Sequence, residues 1–220
     1  MKKESKKAKK ERAAAIVSEL KKIYPSPECA LLYEGEAWKL LVMGRLSAQC
    51  TDARVNIVCA ELFKRFPTAE ALAYGELSEI EDIIRPCGLF RTKADSIKAS
   101  CRMLCDEYGG VLPSSMEELL KFPGVGRKIA NLLLGDIYHQ PAIVADTHCI
   151  RICGRLGFYD ESLKDPHKVE IIMRELIEPP EQSDFCHRIV MFGREYCMAR
   201  SPTCPRCPLA ELCTMRKKKD

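Results

Sequence analysis

Nowhere in the 220 residues does an apolar run approach the roughly 20 needed to cross a bilayer. The stretch "AAAIV" at 13–17 also falls short of the apolar core of a secretory leader. These absences lead to the expectation of a protein that works inside the cell, in the cytoplasm, with no membrane partner. Strand patterning is missing too. No segment alternates apolar and polar residues convincingly, and "AIV" at 142–144 is too short to build a sheet. A clean internal repeat is likewise absent.

Cysteine, by contrast, is plentiful. Thirteen is an odd number in a chain without a leader, which argues against a disulfide framework. Nine of the thirteen lie outside a C-terminal group, and pairs such as Cys101/Cys105 and Cys149/Cys153 fall at helical spacing. A free cysteine there behaves as a small buried hydrophobe, which is the expectation for all nine. The formal charge of +4 is concentrated at the start, where residues 1–12 hold seven Lys/Arg against two Glu. That stretch reads as a disordered basic tail, either merely solvated or adding salt-sensitive attraction to a polyanion.

Apolar residues recur at helical spacing almost everywhere. Ile16, Leu20 and Ile23 mark a first helix stopped by Pro25 and Pro27. Further helices are expected over about 36–50 and 52–66, the latter capped by Asp52 and closed before Pro67. Thr68 and Ser78 suit the caps of two short helices, and "RPCGLFRTK" (85–93) reads as a turn before a helix over about 91–108. Ser114 with Glu117 three residues on has the form of a capping box. A helix from "PGVG" to Tyr138, one opened by Asp146, and two over about 166–177 and 183–196 complete an all-α chain.

Three local patterns carry chemistry. "LLKFPGVGRKIANLLLGDIY" (119–138) is helix, tight turn, helix, in which Gly124 and Gly126 permit tight conformations and close approach of another backbone. Amides at the start of the second helix suit a phosphate, although a bare turn would read the same way. Lys128 falls in the first turn of that helix, where the macrodipole disfavours a cation. An amine in a positive or desolvated setting loses its proton more readily and becomes a nucleophile; a surface lysine reaching a phosphate is the alternative. Asp146, in "VADTHCIRI", is a natural N-cap and also a carboxylate able to assist proton transfer or oppose developing positive charge. Finally, "CMARSPTCPRCPLAELC" (197–213) spaces four cysteines as C-x6-C-x2-C-x5-C. It matches neither the two close pairs common in structural zinc sites nor the ferredoxin run, so its spacing alone leaves zinc and iron–sulfur both open.

Together "LSAQCTD" (46–52), "CGLFRTKA" (87–94), "FPGVGRKIA" (122–130), "ADTHCIRI" (145–152) and the cysteine segment resemble, in order and spacing, the endonuclease III family of helix–hairpin–helix DNA glycosylases. The resemblance runs from about residue 16 to 213. It implies two lobes: a six-helix barrel over 30–140 with the hairpin, and a domain of 1–29 plus 141–220 with the cluster loop, a DNA-binding cleft lying between them. It implies removal of damaged pyrimidines from duplex DNA by a monomer, followed by β-elimination at the abasic site. Lys128 would be the Schiff-base nucleophile and Asp146 the essential carboxylate. Gln49 would fill the hole left by the extruded base and Leu89 wedge the opposite strand. Gly124, Gly126, Arg127, His148, Arg200 and Arg206 would contact DNA, and Cys197, Cys204, Cys207 and Cys213 would hold a [4Fe–4S] cluster.

Cys50 after the glutamine and "VADTH" in place of the more usual "AVDTH" are mild departures that leave substrate preference open. Adenine-type mismatch glycosylases share the hairpin, the aspartate and the cluster but lack the lysine. A non-catalytic hairpin module would bind DNA without cutting it.

Overall fold

The computed structural model describes residues 4–215. Regular structure among them is helical: α1 (Lys6–Ile23), α2 (Ala37–Leu46), α3 (Asp52–Arg65), α4 (Ala69–Tyr74), α5 (Leu77–Ile84), α6 (Phe90–Asp106), α7 (Met116–Leu119), α8 (Arg127–Asp136), α9 (Thr147–Arg155), α10 (Pro166–Leu176) and α11 (Gln182–Glu195). Short 3-10 turns occur at Arg85–Cys87, Pro179–Glu181, Cys204–Arg206 and Ala210–Leu212. None of the described helices is long and apolar enough to cross a membrane. The chain forms two compact units, one of Cys29–Tyr138 and one of the segment through Glu28 with the chain from His139 onward.

The unit of residues 29–138 is built around α2, whose residues Lys39 to Leu46 are buried except Arg45. Leu62 of α3, Ile80 and Ile84 of α5, Ile97 and Leu104 of α6 and Leu133 of α8 are buried in the same unit. Each such side chain contributes about 1.5–3 kcal/mol on leaving water. Helix starts differ from expectation where two capping residues stand side by side. Thr51, not Asp52, caps α3, its side chain accepting from Arg54 N, while Asp52 sits in the first turn where the dipole favours its charge. Glu76 precedes α5, so Ser78 lies inside the first turn rather than capping it. Ser115, not Ser114, caps α7 by accepting from Glu118 N at 3.3 Å. The Glu118 carboxylate accepts from Tyr108 Oη and Lys121 Nζ.

In the other unit the expected disordered tail over 1–12 is corrected: α1 begins at Lys6, capped by Ser5, and only residues 1–3 of that stretch lie outside the described residues. Its basic side chains find acceptors far along the chain. Lys6 pairs with Glu175 at 2.7 Å, Lys9 Nζ donates to Phe158 O at 2.9 Å, and Arg12 donates to Leu156 O at 2.7 Å. Ala13, Ile16, Val17 and Leu20 join a core with Ile152, Val169, Met173, Phe185, Ile189, Phe192 and Leu209. Buried Arg188 ties α11 to the end of α1 by donating to Tyr24 O at 3.1 Å.

All thirteen cysteines are free. Of the nine expected to be buried, Cys59, Cys87, Cys101, Cys149, Cys153 and Cys186 are, but Cys29, Cys50 and Cys105 are only half-buried.

Candidate active site

The turn between α7 and α8 is fastened from two sides. Ser100 Oγ donates to Pro123 O at 2.7 Å, and Arg45 Nε donates to Ser96 Oγ at 2.7 Å beside Gly124. Gly124 has φ +77°, and a Cβ there would lie 2.6 Å from Arg45 Nε and 2.9 Å from Ser96 Cβ. Only glycine meets both conditions. Gly126 differs from expectation, because its backbone is extended (φ −103°, ψ 177°) and a Cβ would meet nothing within 4 Å. The turn does not require that glycine; it leaves the approach to α8 bare. Gly126 also brings no capping side chain, and no acid occupies the first turn of α8. A Cβ on Gly44 would lie 3.2 Å from Ile129 Cγ2. This close approach of α2 and α8 buries Ile129 and leaves Lys128 exposed one position before it, with Arg127 half-buried.

The two glycines should therefore separate on substitution. Gly124→Ala should lower stability by at least about 1–2 kcal/mol, the cost of a left-handed non-glycine residue, with the Arg45 clash added. Gly126→Ala should keep stability within about 1 kcal/mol. Urea denaturation of the two variants would show this, and an equal loss in both would mean that the turn constrains Gly126 as well.

Gln49 and Leu89 share an unusual backbone. Gln49, in the loop after α2, has φ +54°, and Leu89, at the N-cap of α6, has φ +49° and ψ +32°. Left-handed geometry costs a residue bearing a Cβ roughly 1–2 kcal/mol, so the surrounding structure must hold it. Gln49 is exposed, and Leu89 is 61% exposed, a large apolar side chain presented to solvent.

Between these loops lies a residue that none of the sequence motifs marks. Lys93 is fully buried, and its Nζ donates to Leu46 O at 2.9 Å and to Cys87 O at 2.8 Å. Burial pushes its pKa down, against the opposing pull of Cys50 and Cys87. The available signal was a charge on an apolar stripe, since Lys93 falls on the face that buries Ala94, Ile97, Cys101 and Leu104.

In the other unit Asp146 caps α9, its Oδ1 accepting from Cys149 N at 2.7 Å. Its Oδ2 lies 3.6 Å from His148 Nδ1, and both side chains are partly exposed. Gly193 of α11 permits this arrangement, because a Cβ there would meet His148 Cδ2 at 2.6 Å and Ile152 Cδ1 at 2.7 Å. The carboxylate thus serves as a cap while remaining within reach of solvent.

The four C-terminal cysteines are gathered in one loop pinned by buried Leu209. Burial raises the Cys207 thiol most, and Cys197, Cys213 and Cys204 raise it further through like charge. Arg155 donates to Met198 O and Ala199 O, both at 2.8 Å, with its guanidinium 3.5 Å from Cys197 Sγ. Cys213 Sγ lies 3.5 Å from Arg155 O. Half-buried soft donors beside a cation fit a thiolate-bound metal group. Arg200 and Arg206 are exposed on the same loop.

Gln49, Leu89, Gly124, Gly126, Arg127 and Lys128 thus belong to one unit, and Asp146, His148, Arg200, Arg206 and the four cysteines to the other. Residues 42–179 match the profile of the HhH-GPD superfamily, described as base excision DNA repair proteins. The chain is 45% identical over 207 residues to the endonuclease III of Synechocystis sp. (strain ATCC 27184 / PCC 6803 / Kazusa), covering 94% of this chain and 93% of that protein. With the endonuclease III of Bacillus subtilis (strain 168) it shares 38% identity over 200 residues, 90% of each. A solved structure of a non-covalent endonuclease III–DNA complex superposes with a TM-score of 0.88 at 40% identity, covering 96% of this chain and 97% of that one. A trapped endonuclease III–DNA covalent intermediate matches with the same score and identity, covering 96% and 98%.

The class is therefore the helix–hairpin–helix base excision repair proteins. Within it, the chain belongs to the endonuclease III family.

Proposed function

We propose that the protein excises oxidised or otherwise damaged pyrimidines from duplex DNA and cuts the resulting abasic site by β-elimination, with Lys128 as nucleophile. The observation that carries this reading is an exposed amine in the first turn of a helix that lacks both a capping side chain and a first-turn acid. A lysine there is poorly placed for stability and well placed to reach a sugar.

The target base must first leave the stack, at a cost of a few kcal/mol. Gln49 fills the vacated space and Leu89 wedges the opposite strand, offsetting part of that cost. Gly124, Gly126 and Arg127 at the start of α8 hold a phosphate through the helix terminus, and His148, Arg200 and Arg206 add contacts to the DNA. The Lys128 amine attacks C1′ as the bond to the base breaks, and the Asp146 carboxylate opposes the positive charge that develops on the sugar. Cleavage of the C1′–O4′ bond, with a proton passing to O4′, opens the sugar ring and leaves an iminium; loss of a 2′ proton as the 3′ C–O bond breaks expels the 3′ phosphate, and water then hydrolyses the C1′–N bond to release the Lys128 amine.

Cys197, Cys204, Cys207 and Cys213 would hold a [4Fe–4S] cluster that clamps the loop carrying Arg200 and Arg206. Purified protein should contain about four iron per chain and negligible zinc. Stoichiometric zinc after expression with ample iron would overturn the assignment. The catalytic reading is tested by incubating wild-type protein with a thymine glycol duplex under borohydride. A covalent protein–DNA adduct is expected, and its absence from both lesion and abasic duplexes would refute the lyase mechanism.

A further inference from the structure

Burying an ammonium among apolar side chains is costly, and for packing alone an apolar residue of similar volume would serve as well or better. Lys93 is nevertheless fully buried, and its two side-chain bonds run to neutral carbonyls on two different segments. Leu46 O closes α2 and belongs to the carbonyls that a helix leaves without an internal partner. It lies three residues before Gln49. Cys87 O closes the turn two residues before Leu89. The main chain adds a third tie, since Lys93 N donates to Leu89 O at 3.0 Å. At the same junction burial raises the Cys87 thiol, two residues before Leu89, and Cys50, next to Gln49, raises it further.

We propose that Lys93 is the positioning residue of the strand-opening step. It holds the Gln49 loop against the Leu89 loop so that the two side chains enter the duplex together. The inference rests on the reading of Gln49 and Leu89 as the plug and the wedge. Both residues hold left-handed backbone at exposed positions, a geometry that relaxes unless the flanking chain is fixed. A compact ammonium on a flexible apolar stem reaches two carbonyls at once; a planar guanidinium or a shorter amide would not reproduce both bonds. Lys93 itself, enclosed beneath the loops, touches no substrate.

The test compares single-turnover base release from thymine glycol in a paired duplex with release from the same lesion in an unpaired bulge. Lys93→Met keeps the volume and removes the donors. It should slow release from the paired duplex about tenfold or more and from the bulge by no more than about twofold. 2-Aminopurine placed opposite the lesion should lose its rise in fluorescence on binding, a signature that altered stability alone would not give. Lys93→Gln, which retains amide donors on a shorter stem, should fall between the two and carries the test if the methionine variant does not fold. Equal loss on both substrates, or no loss, overturns the role of Lys93 if Gln49→Ala and Leu89→Ala still lose activity selectively on the paired duplex. If those two variants also lose activity equally on both substrates, the plug-and-wedge reading falls, and this inference falls with it.

Discussion

Lys128→Gln is expected to bind a duplex carrying thymine glycol or an abasic site and to leave no borohydride-trapped adduct, with strand cleavage reduced by about three orders of magnitude or more. The amide keeps a polar donor on a shorter stem but has no nucleophilic lone pair. Lys128 is exposed, and its neighbour Ile129 carries the packing of α8 against α2. The fold should therefore not suffer. Removing a cation from the first turn of α8 should instead raise stability slightly, by about 0.3–1 kcal/mol, because the positive end of the helix no longer faces a like charge. Loss of chemistry together with an unchanged or raised melting temperature is the signature of a residue kept for reaction. Trapping at the wild-type rate would identify another amine as the nucleophile. A large drop in stability would mean that Lys128 has a structural partner in the fold.

Much of the fold was legible because helices bury one stripe and chain punctuation closes them. Ile16 and Leu20 repeat at the helical period, and Pro25 follows the end of α1 at Ile23. Starts were harder to read, because a helix needs one capping acceptor and the chain often offers two. Thr51 stands beside Asp52 and Ser115 beside Ser114, and it is Thr51 and Ser115 that accept the capping bonds. The basic start misled for a related reason. Counting charge treats Lys6, Lys9 and Arg12 as solvated, whereas Glu175, Phe158 O and Leu156 O, some 150 residues away, accept from them; for Arg12 the neighbouring Glu4 carboxylate, at 2.8 Å, adds a local partner.

The site divides in the same way. That Lys128 falls in the first turn of one helix and Asp146 caps another could be read locally, as could the spacing of the four cysteines. Gly126 could not, since whether a glycine is demanded by φ or by an open approach depends on what surrounds it. Lys93 was visible only as an anomaly, a charge in register with Ile97 and Cys101, and its meaning required knowing which two carbonyls it meets.

Asp146→Asn should lower base release by about 10²–10⁴-fold while the protein stays folded and still binds damaged DNA. The two demands on Asp146 can be separated because asparagine caps a helix about as well as aspartate. The bond from Cys149 N at 2.7 Å survives the change, while the negative charge at the N-terminus of α9, which also faces His148 Nδ1 at 3.6 Å, is lost, the helix-terminus part at a cost of about 0.3–1 kcal/mol. Asp146→Ala removes the acceptor as well and should cost about 1 kcal/mol more in stability. On a preformed abasic site the base has already gone and no bond to it must break, so Asp146→Asn should be impaired less there than on thymine glycol. Urea denaturation of the two variants, read beside single-turnover rates on both substrates, gives the separation. Full activity of Asp146→Asn on thymine glycol would reduce the aspartate to a helix cap, and equal loss on both substrates would move its role from bond breaking to Schiff-base formation.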